Sequence, residues 1–246
     1  MKKWILVVGL MFAALVALQC AAQSPLDQIL QKARTARSAN SSRGLTNDKI
    51  VAGLKEALTV STRNAVASTG RPDGFLKNAA IKILVPDKLR NVAQGMRLIG
   101  MGSQVDALEV GMNRAAEQAT PAAKQIFINA VKQMTFADAR QILSSNDTAA
   151  TNYFKQQSSD QLRAAFAPIV HQAMENVGVV KRYNQIMINP MAARVARAEN
   201  FNLDDYVVGK TTDGLFYVKA EEEKKIRKDP MAQTTALLKE VFGRKP

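Results

Sequence analysis

The sequence predicts an all-α protein, a compact domain of about ten helices with at most one short extended segment near Ile81–Val85. Apolar residues recur at intervals of three and four along most of the chain, the spacing of a helix that buries one face. Helix-start signals punctuate it at Ser24-Pro25, Thr120-Pro121 and Asp229-Pro230, where a capping side chain precedes a proline at the first helical position. Only Ile81-Lys82-Ile83-Leu84-Val85 is β-branched, partly alternating and stopped by a proline. It has no partner of equal quality, so it reads as an extended connector whose apolar side chains pack under helices. No fixed period repeats, which argues against a solenoid.

In chain order, Ser24-Pro25 opens a first helix, and 40–47 is a polar loop. Ile50, Leu54, Ala57, Leu58 and Ser61 fall on one face of a second helix, followed by a turn at Gly70–Gly74. Asp87 is placed to cap the next helix, which carries Leu89, Val92, Ala93 and Met96. A helix from about Gln104 to Ala119 has Val105, Leu108, Met112, Ala115, Ala116 and Ala119 as its stripe. Ala123, Ile126, Phe127, Ala130, Val131 and Met134 keep helical period, and Thr135 with Asp138 resembles a capping box. Further helices are expected over 148–157, 159–177 and 180–188, with a break at Asn189-Pro190. Two more begin near Leu203 and after Asp229-Pro230, and Asp213-Gly214 reads as a turn or helix start.

The N-terminus carries Lys2 and Lys3, an apolar run from Trp4 to Leu18, and Cys20-Ala21-Ala22. This is the charged, apolar and small-residue order of an export signal, and the run is short for a bilayer span of about 20 residues. Residues 1–22 are therefore expected to be removed, leaving 23–246 as a single helical domain outside the cytoplasm, in the periplasm. Cleavage after Ala22 fits the small residues there. The other reading makes Cys20 a lipid-bearing first residue, but Gln19 and Ala17 stand where that signal wants a small residue and a leucine. Cys20 is the sole cysteine, so cleavage after Ala22 would remove thiol and disulfide chemistry together.

The formal net charge is +13, and +11 once Lys2 and Lys3 leave with the signal. Such a charge steers anionic partners toward the protein. Outside the cytoplasm these are lipid head groups, lipopolysaccharide and wall polymers. No basic run with interleaved aromatics occurs, which argues against nucleic acid.

Several strings together resemble a known bacterial family. They include Gly53-Leu54-Lys55-Glu56-Ala57-Leu58, Met112-Asn113-Arg114-Ala115-Ala116-Glu117, Met134-Thr135 with Asp138-Ala139, and Ala150-Thr151 with Tyr153-Phe154. Later come Asp213-Gly214-Leu215-Phe216, Ile226-Arg227 with Asp229-Pro230, and Leu237-Leu238 with Val241-Phe242-Gly243. Their order and spacing resemble domain of unknown function 4197, a family of exported proteins of Gram-negative bacteria. The resemblance implies location and a mostly helical fold. It carries over no catalytic residue.

The chain offers one histidine, His171, amid apolar residues at helical spacing, which excludes multi-imidazole zinc sites. No Gly-x-Ser-x-Gly elbow and no phosphate-cradling P-loop occur. Asn113, Arg114 and Glu117 can meet on one helix flank, as a polar binding cluster, an intrahelical ion pair of ~0.2–0.5 kcal/mol, or a buried bridge between helices. Asp138, Thr151 and Tyr153 form a second polar group, and Arg227 is placed to tie down the final helix cap. Glu221-Glu222-Glu223 with Lys224, Lys225 and Arg227 reads as a solvated face, since consecutive helical carboxylates diverge too far for calcium. Met96, Met101 and Met112 beside glycines read as core filler or as an adaptable apolar groove.

These features predict a non-catalytic periplasmic binding or envelope-interaction protein, with no cofactor or metal. Its partner would be an anionic envelope component or another envelope protein, with peripheral membrane contact. One alternative is a peptidoglycan-acting enzyme with Glu117 as its acid, although glycoside cleavage normally needs two carboxylates and none is evident beside Glu117. Another is a carrier of an apolar ligand near Met96–Met112.

Overall fold

A computed structural model describes residues 47–188, 190, 193–194, 197, 201–233 and 235–242. The export signal with Cys20, the helix opened by Ser24-Pro25 and Asn189 lie outside the described residues. Among those described the fold is all-α, with no strand. The helices are α1 (Asn47–Thr69), α2 (Arg90–Leu98), α3 (Gly102–Ala119), α4 (Ala123–Gln133), α5 (Phe136–Ser144), α6 (Ala149–Asn176), α7 (Val179–Met187), α8 (Leu203–Lys228) and α9 (Ala236–Phe242). Short 3-10 turns occupy Asp87–Leu89, Thr120–Ala122 and Pro230–Ala232.

About ten helices overcounts the described residues because one expected break is absent. The polar run around Ser158-Ser159 does not divide α6. Ser158 and Ser159 donate their hydroxyls back to Phe154 O (2.6 Å) and Lys155 O (2.5 Å), so the helix keeps them.

Helix ends follow local chemistry with some corrections. The Thr135–Asp138 box opens α5 with both reciprocal bonds in place. Asn202 opens α8 by accepting from Asp204 N (2.9 Å) and Asp205 N (3.2 Å). Asp87 caps nothing; it pairs with Arg90 at the start of α2. Thr120 sits in a 3-10 turn and donates to Ala116 O (2.9 Å) instead of capping α4. Asp229 closes α8 and accepts from Met231 N (2.9 Å), and the last helix starts only at Ala236. Asp213-Gly214 is neither turn nor start but mid-α8.

The residues Asn47–Pro246 form one compact unit. In it α8 packs against α6 and α1, α3 against α6, α1 against α4 and α9, and α7 against α3. The expected stripes are the buried ones: Leu54, Ala57 and Leu58 on α1, and Val105, Leu108, Met112, Ala115, Ala116 and Ala119 on α3. Met96 and Met112 are core filler, with Met101 packed at the margin. At the centre Phe127 of α4 meets Phe154 of α6 (5.4 Å) and Phe216 of α8 (5.7 Å) edge to face.

Ile81–Val85 is no strand: Ile81 ends a turn in which Ile81 N and Lys82 N donate to Asn78 O, and 82–84 are irregular. Ile81 and Ile83 are buried, and Gly214 lets the connector approach α8, where a Cβ would lie 2.6 Å from Phe75 Cε1 and 3.2 Å from Ile81 Cβ. Gly214→Ala should destabilise the fold by about 1–3 kcal/mol through overpacking. Gly95→Ala, where a Cβ meets nothing within 4 Å, should stabilise α2 by about 0.5–1 kcal/mol. Urea denaturation of both variants reads the contrast.

Candidate functional site

The residues with chemical potential in the sequence fall into two buried brackets and one open groove. The first bracket is the flank of α3 that faces the connection between α1 and α2. Asn113 accepts from Ile83 N (2.9 Å) and donates to Ile83 O (2.8 Å), pairing with the main chain as a neighbouring strand would. One turn earlier Glu109 accepts from Val85 N (3.1 Å). One turn later Glu117 accepts from Phe75 N and Leu76 N, both at 3.1 Å, through Oε1. Arg114 donates to Glu117 Oε2 (2.7 Å) and to Asp73 (2.7 Å), which also pairs with Lys77. Those partners, Lys77 first, hold the Asp73 carboxyl below its ordinary pKa. From α8, Tyr206 donates to Leu84 O (2.9 Å), and burial pushes its phenol up to about 12. The three expected residues thus act together, but on a loop. Asn113 touches the chain of Ile83 and not Glu117.

The second bracket runs down α8 at four-residue spacing, through Lys219, Glu223 and Arg227. Glu223 is buried, which corrects its reading as part of a solvated face; Glu221 and Glu222 do make the expected pairs with Lys224 and Lys225. Glu223 accepts from Ala150 N (3.1 Å), Thr151 N (2.8 Å) and Thr151 Oγ1 (2.8 Å), so it caps α6 from another helix, where negative charge is favoured. Arg227 donates to Glu223 (3.0 Å) and to Ile142 O (3.1 Å) near the end of α5. It ties α5 and α6 to α8 and takes no part in capping the last helix, where Thr235 Oγ1 accepts from Leu238 N (3.2 Å).

Lys219, unremarked in the sequence, is fully buried. Its Nζ donates to Ser61 Oγ (3.2 Å) and Thr62 Oγ1 (3.1 Å) and lies 4.2 Å from the Phe154 ring centre. Burial lowers its pKa to about 7, opposed by the charge of Glu223.

The groove lies between α5 and α6, about 300 Å³ in volume. Asp138 and Tyr153 line it, so two members of the second polar group share it; Thr151 is buried beneath, on Glu223. Asp138 Oδ2 accepts from Thr135 Oγ1 (2.7 Å) and Thr135 N (2.9 Å), which lower its pKa. Gln141, Asn152, Gln156 and Gln157 line it as well, all exposed, and their amides make no side-chain hydrogen bond among the described residues. His171 is exposed beside a separate depression and bonds Asp204 (2.6 Å), which raises its pKa. Among the described residues no three His, Cys, Asp or Glu side chains are grouped to hold a metal.

Sequence reasoning misses Glu109 and Lys219 and misplaces Glu223, although the spacing is visible: Glu109, Asn113 and Glu117 on one helix, and Lys219, Glu223 and Arg227 on another, each recur every four residues. Asn113→Ala should cost about 1–3 kcal/mol for each main-chain group of Ile83 left without a partner. Amide hydrogen exchange at Ile83 should quicken more than at core amides of α6.

Folding lowers the Lys219 pKa from 10.5 to about 7, so the unfolded chain binds the extra proton between those values. Stability therefore rises with pH across that window, and below about pH 7 the burial cost is felt in full. Lys219→Met should raise the melting temperature at neutral pH, and its advantage should shrink as pH climbs toward 10.5.

No curated protein and no solved structure matches this chain. Residues 44–243 match the family described as "Protein of unknown function (DUF4197)", and the brackets and the groove lie within that span. The chain belongs to that family.

Proposed function

We propose that this is a non-catalytic, exported binding protein that docks on an anionic surface of the cell envelope. One observation carries the reading. At the corner between α2 and α3, Leu98 is 89% exposed and Ile99 72% exposed, side by side, while Val92, Ala93 and Met96 of the same helix are buried. Isolated exposed apolar residues are ordinary, but two adjacent large ones at a helix tip form a wedge. Arg97 adjoins them and Lys88 and Arg90 begin the same arm. Arg90 and Arg97 pair with Asp87 and Asp106 in exposed contacts, which are weak and easily exchanged for lipid phosphates.

The magnitudes favour a reversible contact. Full burial of a leucine or isoleucine is worth about 1.5–3 kcal/mol, and each cation near an anionic surface about 1 kcal/mol. No helix among the described residues is long and apolar enough to cross a membrane. A peripheral wedge needs none.

Glu117 supports the non-catalytic reading. Both its oxygens are engaged by Phe75 N, Leu76 N and Arg114, so its carboxylate positions a loop.

Vesicle flotation tests the proposal. Binding to phosphatidylglycerol vesicles should exceed binding to phosphatidylcholine vesicles and weaken with salt. The double variant Leu98→Ser, Ile99→Ser should lose about tenfold or more in affinity without a lower melting temperature. Equal binding to both vesicle types, or a double variant that binds like the parent, would refute it.

A further inference from the structure

We propose that the groove between α5 and α6 is a binding site for an uncharged saccharide. The inference is independent of membrane docking and concerns a different part of the molecule. At about 300 Å³ the groove stands at the lower end of ligand-sized pockets, ~300–1,000 Å³. Pockets of that class are mostly apolar; this one is walled by carboxamides. Gln141, Asn152, Gln156 and Gln157 each bring an acceptor and two donors, unspent among the described residues. A surface with donors and acceptors in similar number suits a partner made of hydroxyl groups, which also donate and accept.

Tyr153 adds an aromatic wall with a polar tip. Its ring is half-buried and set edge to face against Phe154 at 5.8 Å, so it is already ordered before a ligand arrives. Ring and hydroxyl together match the alternating apolar and polar faces of a sugar, at a small entropic cost.

Charge selects within that class. The chain carries +13, yet no lysine or arginine lines this groove, and its one carboxylate, Asp138, accepts from Thr135 through Oδ2. Nothing there balances an anionic ligand, and the field of a chain with a net charge of +13 disfavours a cationic one.

The buried bracket explains why the groove is preformed. Ile142 and Ala149 stand on its two sides. Arg227 holds the carbonyl of Ile142, and Glu223 holds the amides of Ala150 and Thr151. Both walls are thus fastened to α8, and the main chain of the groove needs little ordering on binding.

Isothermal titration calorimetry on the full chain, with chitotriose, maltotriose and tetra-alanine as probes, tests this. At least one saccharide should bind with an affinity unchanged between low and high salt, and the two saccharide arms separate an N-acetylated preference from a plain one. Gln141→Ala and Gln156→Ala should each weaken binding about tenfold while the melting temperature holds. Silence with both saccharides, uptake of tetra-alanine alone, or variants that bind like the parent would overturn the assignment. Vesicle flotation is untouched by any of these results, so the two proposals fail separately.

Discussion

Every buried N–H and C=O in the connection between α1 and α2 must find a partner, and no strand is there to supply one. The flank of α3 meets that demand. Glu109, Asn113 and Glu117, one turn apart, take the main chain at Val85, Ile83 and Phe75–Leu76 in turn. Asn113 is decisive because its amide both donates and accepts, as a peptide group does. With the chain so held, Phe75, Ile81 and Ile83 reach the core, and α8 closes over them at Gly214.

The same device recurs where α5 meets α6. A helix start needs acceptors for its free amides, and Glu223 brings them from α8 while Arg227 neutralises it and takes the end of α5. Both brackets are carboxylate–arginine pairs whose main work is on backbone groups. Removing either arginine would leave a buried carboxylate without its cation, a far larger loss than the modest net worth of the pair. Lys219 is the exception, a buried amine on hydroxyls and aromatic rings, with no carboxylate in hydrogen-bond contact among the described residues, where burial opposes its charged form.

Periodicity made the fold readable: the stripes of α1, α3 and α4 were the core, and the Thr135 box and the α8 start near Leu203 stood where local chemistry put them. The misreadings share a cause. Ser158-Ser159 looked like a break and Asp213-Gly214 like a turn because local propensity was weighed without the packing that overrides it. Glu223 reads as a solvated residue because it continues a run of charges with Glu221 and Glu222; its burial depends on α6, distant in sequence. The polar cluster on α3 was visible, its purpose was not, since the atoms it serves are main-chain groups that every residue carries. The groove mixes Asp138 and Tyr153, legible as polar candidates in the sequence, with glutamines that stand out only when two helices bring them together.

The depth of Lys219 has an analytical use. Amine-reactive reagents need contact with an exposed nitrogen, and this one is walled in by Phe127, Phe154, Ser61 and Thr62. Exposed lysines such as Lys82 or Lys132 would be modified at once, whereas Lys219 becomes available only when α8 lifts from α1 and α6. Mass-spectrometric timing of that single modification would therefore serve as a clock for opening of the core, with a natural residue as its probe.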